Sequence, residues 1–186
     1  MPRFLKLVLL SFCVALSAHA QSVEELIHSG KVMIEAALKQ ETAADLFKAR
    51  AHFERMLSAK QHEALVRYYI AYCDYRYASA YARREQNAGD KMEKYLDDAV
   101  AHLEAAVKLD DKFAEAHALL ASCYGQQIST NFLLGMTLGA KSSAAMSKAL
   151  QLEPENPRLI MLDAISKHFT PSMFGGASSM KPPKAR

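Results

Sequence analysis

The 186-residue sequence predicts an all-α chain built as a stack of antiparallel helix pairs. Three observations carry that prediction. From Gln21 onward apolar residues recur at three- and four-residue intervals, and no segment alternates with the period of a strand. Glycine and proline gather where helices should stop, at Gly89, Gly125, Pro154, Pro157, Pro171 and Gly175-Gly176. The helical segments also repeat: Gly30, Ala71, Ala121 and Ala164 align as one small-residue slot of successive first helices, at intervals of 41, 50 and 43 residues.

The N-terminus reads as a signal peptide over residues 1–20. Arg3 and Lys6 supply positive charge, Leu5 to Leu16 form an apolar core too short for a stable membrane span, and Ala18-His19-Ala20 gives a small-x-small cleavage pattern. Leu10-Ser11-Phe12-Cys13 is a poor lipobox, because Phe12 fills a slot that needs a small residue. The expected mature chain begins at Gln21, is periplasmic or secreted, and forms one domain over 21–170. It carries 21 basic against 20 acidic residues, so no basic stripe suggests nucleic acid or an anionic membrane. No other apolar run reaches membrane length, so no stable membrane insertion is expected after cleavage.

The first unit rests on Gly30 and on a second helix over Ala43 to Ala59, with Ala49, Phe53 and Met56 facing inward. In the second unit a tyrosine-rich first helix around Ala71 leads through a polar connection, Arg83 to Met92, into a second helix over Glu93 to Leu109. The third unit begins at Ala114. Its connection, Gly125 to Lys141, holds Ile128, Phe132, Leu133, Leu134, Met136 and Leu138, too apolar for a solvated loop. An additional helical turn packed across the repeat is expected there, followed by a second helix over Ser142 to Leu152 with Met146 and Ala149 inward. A fourth first helix, Pro157 to Phe169, has more apolar side chains than one packed face requires. Residues 171–186 are small, basic and proline-containing, and are expected to be flexible.

Within Ala114 to Tyr124, the residues His117, Leu120, Ala121 and Tyr124 stand at the spacing of a tetratricopeptide (TPR) first helix. Ala99, Leu103, Ala106 and Leu109-Asp110 fit the second helix of the preceding unit, and Leu152-Glu153-Pro154 carries that family's closing proline. The chain therefore resembles the TPR family. The resemblance implies a right-handed superhelical stack, a TPR-like α-solenoid of about three full repeats plus a C-terminal helix, whose task is to hold other molecules. Two departures stand out: the intervals exceed the usual ~34 residues, and Asp163 falls where the family wants Leu.

With Ala71 as the small slot, the family's groove-lining places fall on Leu65, Tyr68, Tyr72, Tyr75 and Arg76, three or four residues apart on one stripe. The equivalent places one unit later are Glu115, Ala118, Ser122, Gly125 and Gln126, mostly small. A tyrosine ridge beside a shallow floor suits an apolar or aromatic group of a peptide, since Tyr joins a large apolar face to a polar tip. The alternative is that the tyrosines pack within their own chain.

No catalytic constellation, cofactor motif or metal site emerges. The six histidines beyond residue 20 make no His-x-x-x-His pair, and the Ser and Cys residues lack glycine-framed nucleophile turns. His117 is expected to fill core, and the carboxylates to lie on solvated faces. Cys73 and Cys123 occupy the small slot's neighbourhood in two first helices; buried small apolar filling is the first reading, and a disulfide the other. The expected function is thus non-catalytic: an exported module that binds a protein or peptide segment in its groove. The alternatives are a homo-oligomer assembled through the last helix, and a small-ligand carrier or enzyme with residues 125–141 as its lid.

Overall fold

A computed structural model describes residues 22–84 and 87–169. The signal peptide expected over 1–20 and the tail expected over 171–186 lie outside the described residues. The described residues form seven α-helices: α1 (Val23–Gln40), α2 (Ala43–Met56), α3 (Glu63–Ala80), α4 (Ala88–Leu109), α5 (Ala114–Thr130), α6 (Gly135–Leu152) and α7 (Pro157–Phe169). They pair in sequence order as α1–α2, α3–α4 and α5–α6, with α7 against α5 and α6. The described chain is therefore the all-α, solenoid-like stack of helix pairs that the periodicity predicts.

Local chemistry sets the first helix. The Ser22 side chain accepts from the Glu25 N–H at 3.1 Å while the Glu25 carboxylate accepts from the Ser22 N–H at 3.2 Å, a reciprocal cap that satisfies two orphan donors. The helix then buries one stripe, Ile27, Gly30, Ile34 and Ala37, and α2 answers with Leu46, Ala49, Phe53 and Met56. Gly30 is required by contact: a Cβ there would meet the Phe53 ring at 2.3 Å from Cζ. The ring cannot simply retreat, because it stacks on Tyr69 of α3 with centroids 4.9 Å apart.

Apolar burial proceeds through three linked clusters, with no single core. The first joins α1, α2 and α3 and reaches Met92 of α4; the second joins α3, α4 and α5; the third joins Ala114, Ala118 and Ala121 of α5 to Met146, Ala149 and Leu159. Each helix pair alone leaves an apolar face open, so the neighbours supply the missing half. The first helices run side by side. Tyr68 reaches Glu115 and Ser79 reaches Gln126, both 47 residues on, a constant offset that only parallel neighbours give.

Two expectations about the connections are corrected. The extra length between paired helices lengthens the second helix: α4 starts at Ala88, not Glu93, and α6 at Gly135, not Ser142. Residues 125–141 do not fold back across the repeat. They continue α5 to Thr130, make one 3₁₀ turn at Phe132–Leu134 and enter α6, which leaves Leu133 77% and Met136 84% exposed. Only Leu138 among the outer apolar residues packs against the second cluster.

The Gly30–Phe53 contact yields a paired stability test. Gly30→Ala should cost about 1–3 kcal/mol, because the ring is trapped by Tyr69. Gly125→Ala, where a Cβ meets nothing within 4 Å, should stabilise the chain by about 0.5–1 kcal/mol through lower unfolded-state entropy. Urea unfolding of both variants against the parent measures the difference.

Candidate functional site

Helix α3 lies inside the stack, so its sequence serves two interfaces and one edge. Val66, Ile70, Cys73 and Tyr77 enter the first cluster, and Tyr68 and Ala71 enter the second. Leu65, Tyr69, Tyr72, Tyr75 and Arg76 are among the α3 residues that remain half-buried. Tyrosine fits such an edge, since the ring can be covered while the hydroxyl reaches a polar partner.

The structure divides the five stripe residues. Tyr68 is only 3% exposed, sits 5.0 Å from the Phe113 ring and donates its hydroxyl to Glu115 Oε2 at 3.3 Å. Burial holds that hydroxyl well above the usual tyrosine range, so Tyr68 acts as a neutral donor in the core. Leu65 packs at the seam of the first two clusters. Tyr72 and Tyr75 cover the second cluster with part of each ring left accessible. Arg76 is half-buried, and its Nε is buried with no hydrogen-bond partner.

One further group joins this edge from α7. The Arg158 guanidinium lies 5.9 Å from the Tyr72 ring centroid, and its Nη1 reaches Glu115 Oε1 at 3.5 Å. Arg158 has no motif that ties it to the tyrosines along the chain; its 43-residue offset from Glu115, the spacing of successive first helices, is the one sequence signal of this contact. The expected shallow floor is present in part. Ala118 is buried in the cluster that Leu159 of α7 caps. Ser122 is half-buried, with its hydroxyl on the Ala118 carbonyl at 2.9 Å, and Gly125 is open. The accessible surface is therefore a strip along α3 and α5, edged by Tyr72 and Tyr75, opening at Gly125, with Arg158 at one end.

The stripe's hidden neighbour is Asp74, which was expected on a solvated face and is fully buried. It shares a helix face with Ile70, Cys73, Tyr77 and Ala78, a placement that the three- and four-residue spacing could have shown. Arg50 Nε of α2 donates to its Oδ1 at 2.5 Å and pairs also with Glu54, while Asp98 lies 4.0 Å from Arg50. The other carboxylate oxygen, Oδ2, has no partner. Burial pushes the Asp74 carboxyl up to about 6, with Arg50 beside it pulling the other way. His102, on α4, is held below its usual range by burial and then by Arg50 and Arg67.

Cys73 and Cys123 are free, buried thiols in separate clusters, and burial pushes both well above the usual range. His117 does not fill core: it is half-buried and donates from Nε2 to the Asp111 carbonyl at 3.1 Å. A cleft of about 180 Å³ opens between α1 and α2, lined by Val23, Leu26, His52, Arg55, Met56 and Ala59. It lies in the first helix pair, not beside residues 125–141. Among the described residues no helix is long and apolar enough to cross a membrane.

No family model matches the chain, and no curated protein matches it. Among solved structures it is similar to the HusA haemophore from Porphyromonas gingivalis. The identity is 24% and the TM-score 0.65, over 87% of this chain and 75% of that one. At that identity the likeness shows a shared fold.

Two outcomes follow for α3. Tyr68→Ala should lose about 3–5 kcal/mol of stability, as for a buried aromatic, whereas Tyr72→Ala should lose about 1 kcal/mol; thermal or urea unfolding distinguishes them. For Asp74 the native chain keeps a proton that the unfolded chain has released, so stability falls as pH rises between about 4 and 6. Asp74→Asn should remove about 1–3 kcal/mol of that decline, whatever its effect on absolute stability, when unfolding is followed at several pH values in that window.

Proposed function

We propose that the chain is an exported, non-catalytic carrier with a TPR-like stack, which holds a flat, largely apolar ligand of the haem class on the strip edged by Tyr72 and Tyr75. The observation that carries this reading is the pair of half-covered tyrosine rings, Tyr72 and Tyr75, on one edge of α3, with the Arg158 guanidinium 5.9 Å from the Tyr72 ring centroid. A planar aromatic ligand gains from offset stacking on such rings, and a tyrosine oxygen is one of the groups able to ligate haem iron. The similarity to a protein described as a haemophore supports the same ligand class. The strip is an open surface, so a ligand would be held by one face and remain available for transfer.

A peptide or protein segment in the same strip is the second reading. It is favoured by the strip's course across two parallel helices, and by the exposed Met161 and Ile165, which follow Arg158 at helical spacing on α7.

The chain has no tryptophan, so its emission comes from its eight tyrosines, five of which lie on α3. Titration of hemin into the exported chain should give a saturable one-to-one Soret shift with quenching of tyrosine emission. Tyr72→Ala with Tyr75→Ala should weaken binding at least about tenfold, equal to a loss of about 1.4 kcal/mol, while the fold persists. An unsaturable titration, or equal binding by the double variant, contradicts the haem-class reading. Capture of extended peptides that the same variant abolishes would then favour the second.

A further inference from the structure

We propose that Arg158 reads a carboxylate of the bound ligand, so that the strip selects planar ligands bearing an acid group over neutral ones of the same shape. This rests on the carrier reading above and adds to it the chemical group that gives specificity.

The position of Arg158 is fixed in the free chain. Its backbone N–H donates to Asn156 Oδ1 at 3.0 Å, and the Asn156 amide in turn donates to Glu153 Oε2 at 2.6 Å. This turn launches α7 and places residue 158 against α5. The side chain then crosses to Glu115 and Tyr72, and it remains 47% exposed.

Its pairing is loose. A guanidinium offers five N–H donors in a planar fork suited to two-point contact with a carboxylate. The contact to Glu115 is one Nη1–Oε1 approach at 3.5 Å, the outer limit of hydrogen bonding. Glu115 does not depend on it for its place, because the neutral Tyr68 hydroxyl donates to its other oxygen. The guanidinium also hydrogen-bonds the Tyr68 oxygen, and with two of its five N–H donors so engaged the remaining donors are left for an incoming carboxylate.

The surroundings favour an anion there. Tyr72, Tyr75, Ser122 and Gln126 are uncharged under ordinary conditions, Glu115 supplies one negative charge, and Arg76 brings a second guanidinium to the Tyr72 stripe. Arg158 and Glu115 offset each other in charge, and Arg76, close enough to act on the Tyr75 hydroxyl, adds a cation to the aromatic edge. A ligand with an aromatic plane and a carboxylate at its rim matches both features.

The test uses protoporphyrin IX and its dimethyl ester, which share one ring system and differ in the acid groups. The parent chain should bind the acid about tenfold more tightly than the ester, read by tyrosine quenching. Arg158→Gln should bring the two within about threefold, mainly by weakening the acid, and Arg158→Lys should fall between, since it keeps the charge but loses the fork. A parent chain that binds acid and ester equally, or an undiminished preference in Arg158→Gln, overturns the role of Arg158 and leaves the carrier reading standing. Failure of both porphyrins to bind the parent chain overturns the carrier reading and this inference with it.

Discussion

The structure depends on the double burial of helix α3. One side of that helix closes the first cluster through Val66, Ile70, Cys73 and Tyr77, and another opens the second through Tyr68 and Ala71. Short helix pairs cannot bury their apolar faces alone, so a helix shared by two clusters couples the units into one structure. The tyrosines belong to this constraint before they belong to any site. A helix packed on two sides needs large side chains, and hydroxyl tips let those side chains end at polar partners such as Glu115.

The same helix contains a buried charge, and its cost is visible in the geometry. Asp74 meets Arg50 on one oxygen and leaves the other without a partner. A buried ion pair is weak evidence for stability, and replacing such a pair by apolar groups is often neutral or better. Its value here lies in register: Arg50 is reached from α2, Asp74 from α3 and Asp98 from α4, so one guanidinium gathers three successive helices. A shift of α2 or α3 along its axis would strand the buried Asp74 carboxylate.

The repeat is legible in the sequence because small residues in the packed slots have no substitute. Gly30 under Phe53, and Ala99, Leu103 and Ala106 in the second cluster, announce themselves by spacing alone. What stays concealed depends on depth across helices. Tyr68 and Tyr72 are four residues apart, yet one is core and the other edge, because Phe113 and α5 cover only the first fully. Asp74 reads as solvated because its partner Arg50 lies 24 residues earlier. The apolar stretch around Phe132 and Leu133 reads as packed structure, but its side chains face outward. Arg158 has no visible link to the tyrosines along the chain, because only the fold brings α7 beside α5.

In the carrier reading a ligand rests on one edge of α3 and the facing strip of α5. Amide chemical-shift mapping of the isotope-labelled chain with diamagnetic zinc protoporphyrin tests this most directly. Perturbations are expected to concentrate at Tyr72, Tyr75 and Arg76, at Ser122, Gly125 and Gln126, and at Arg158. Perturbations centred on Val23, Leu26, His52 and Met56, the cleft between α1 and α2, would place the ligand elsewhere and contradict it.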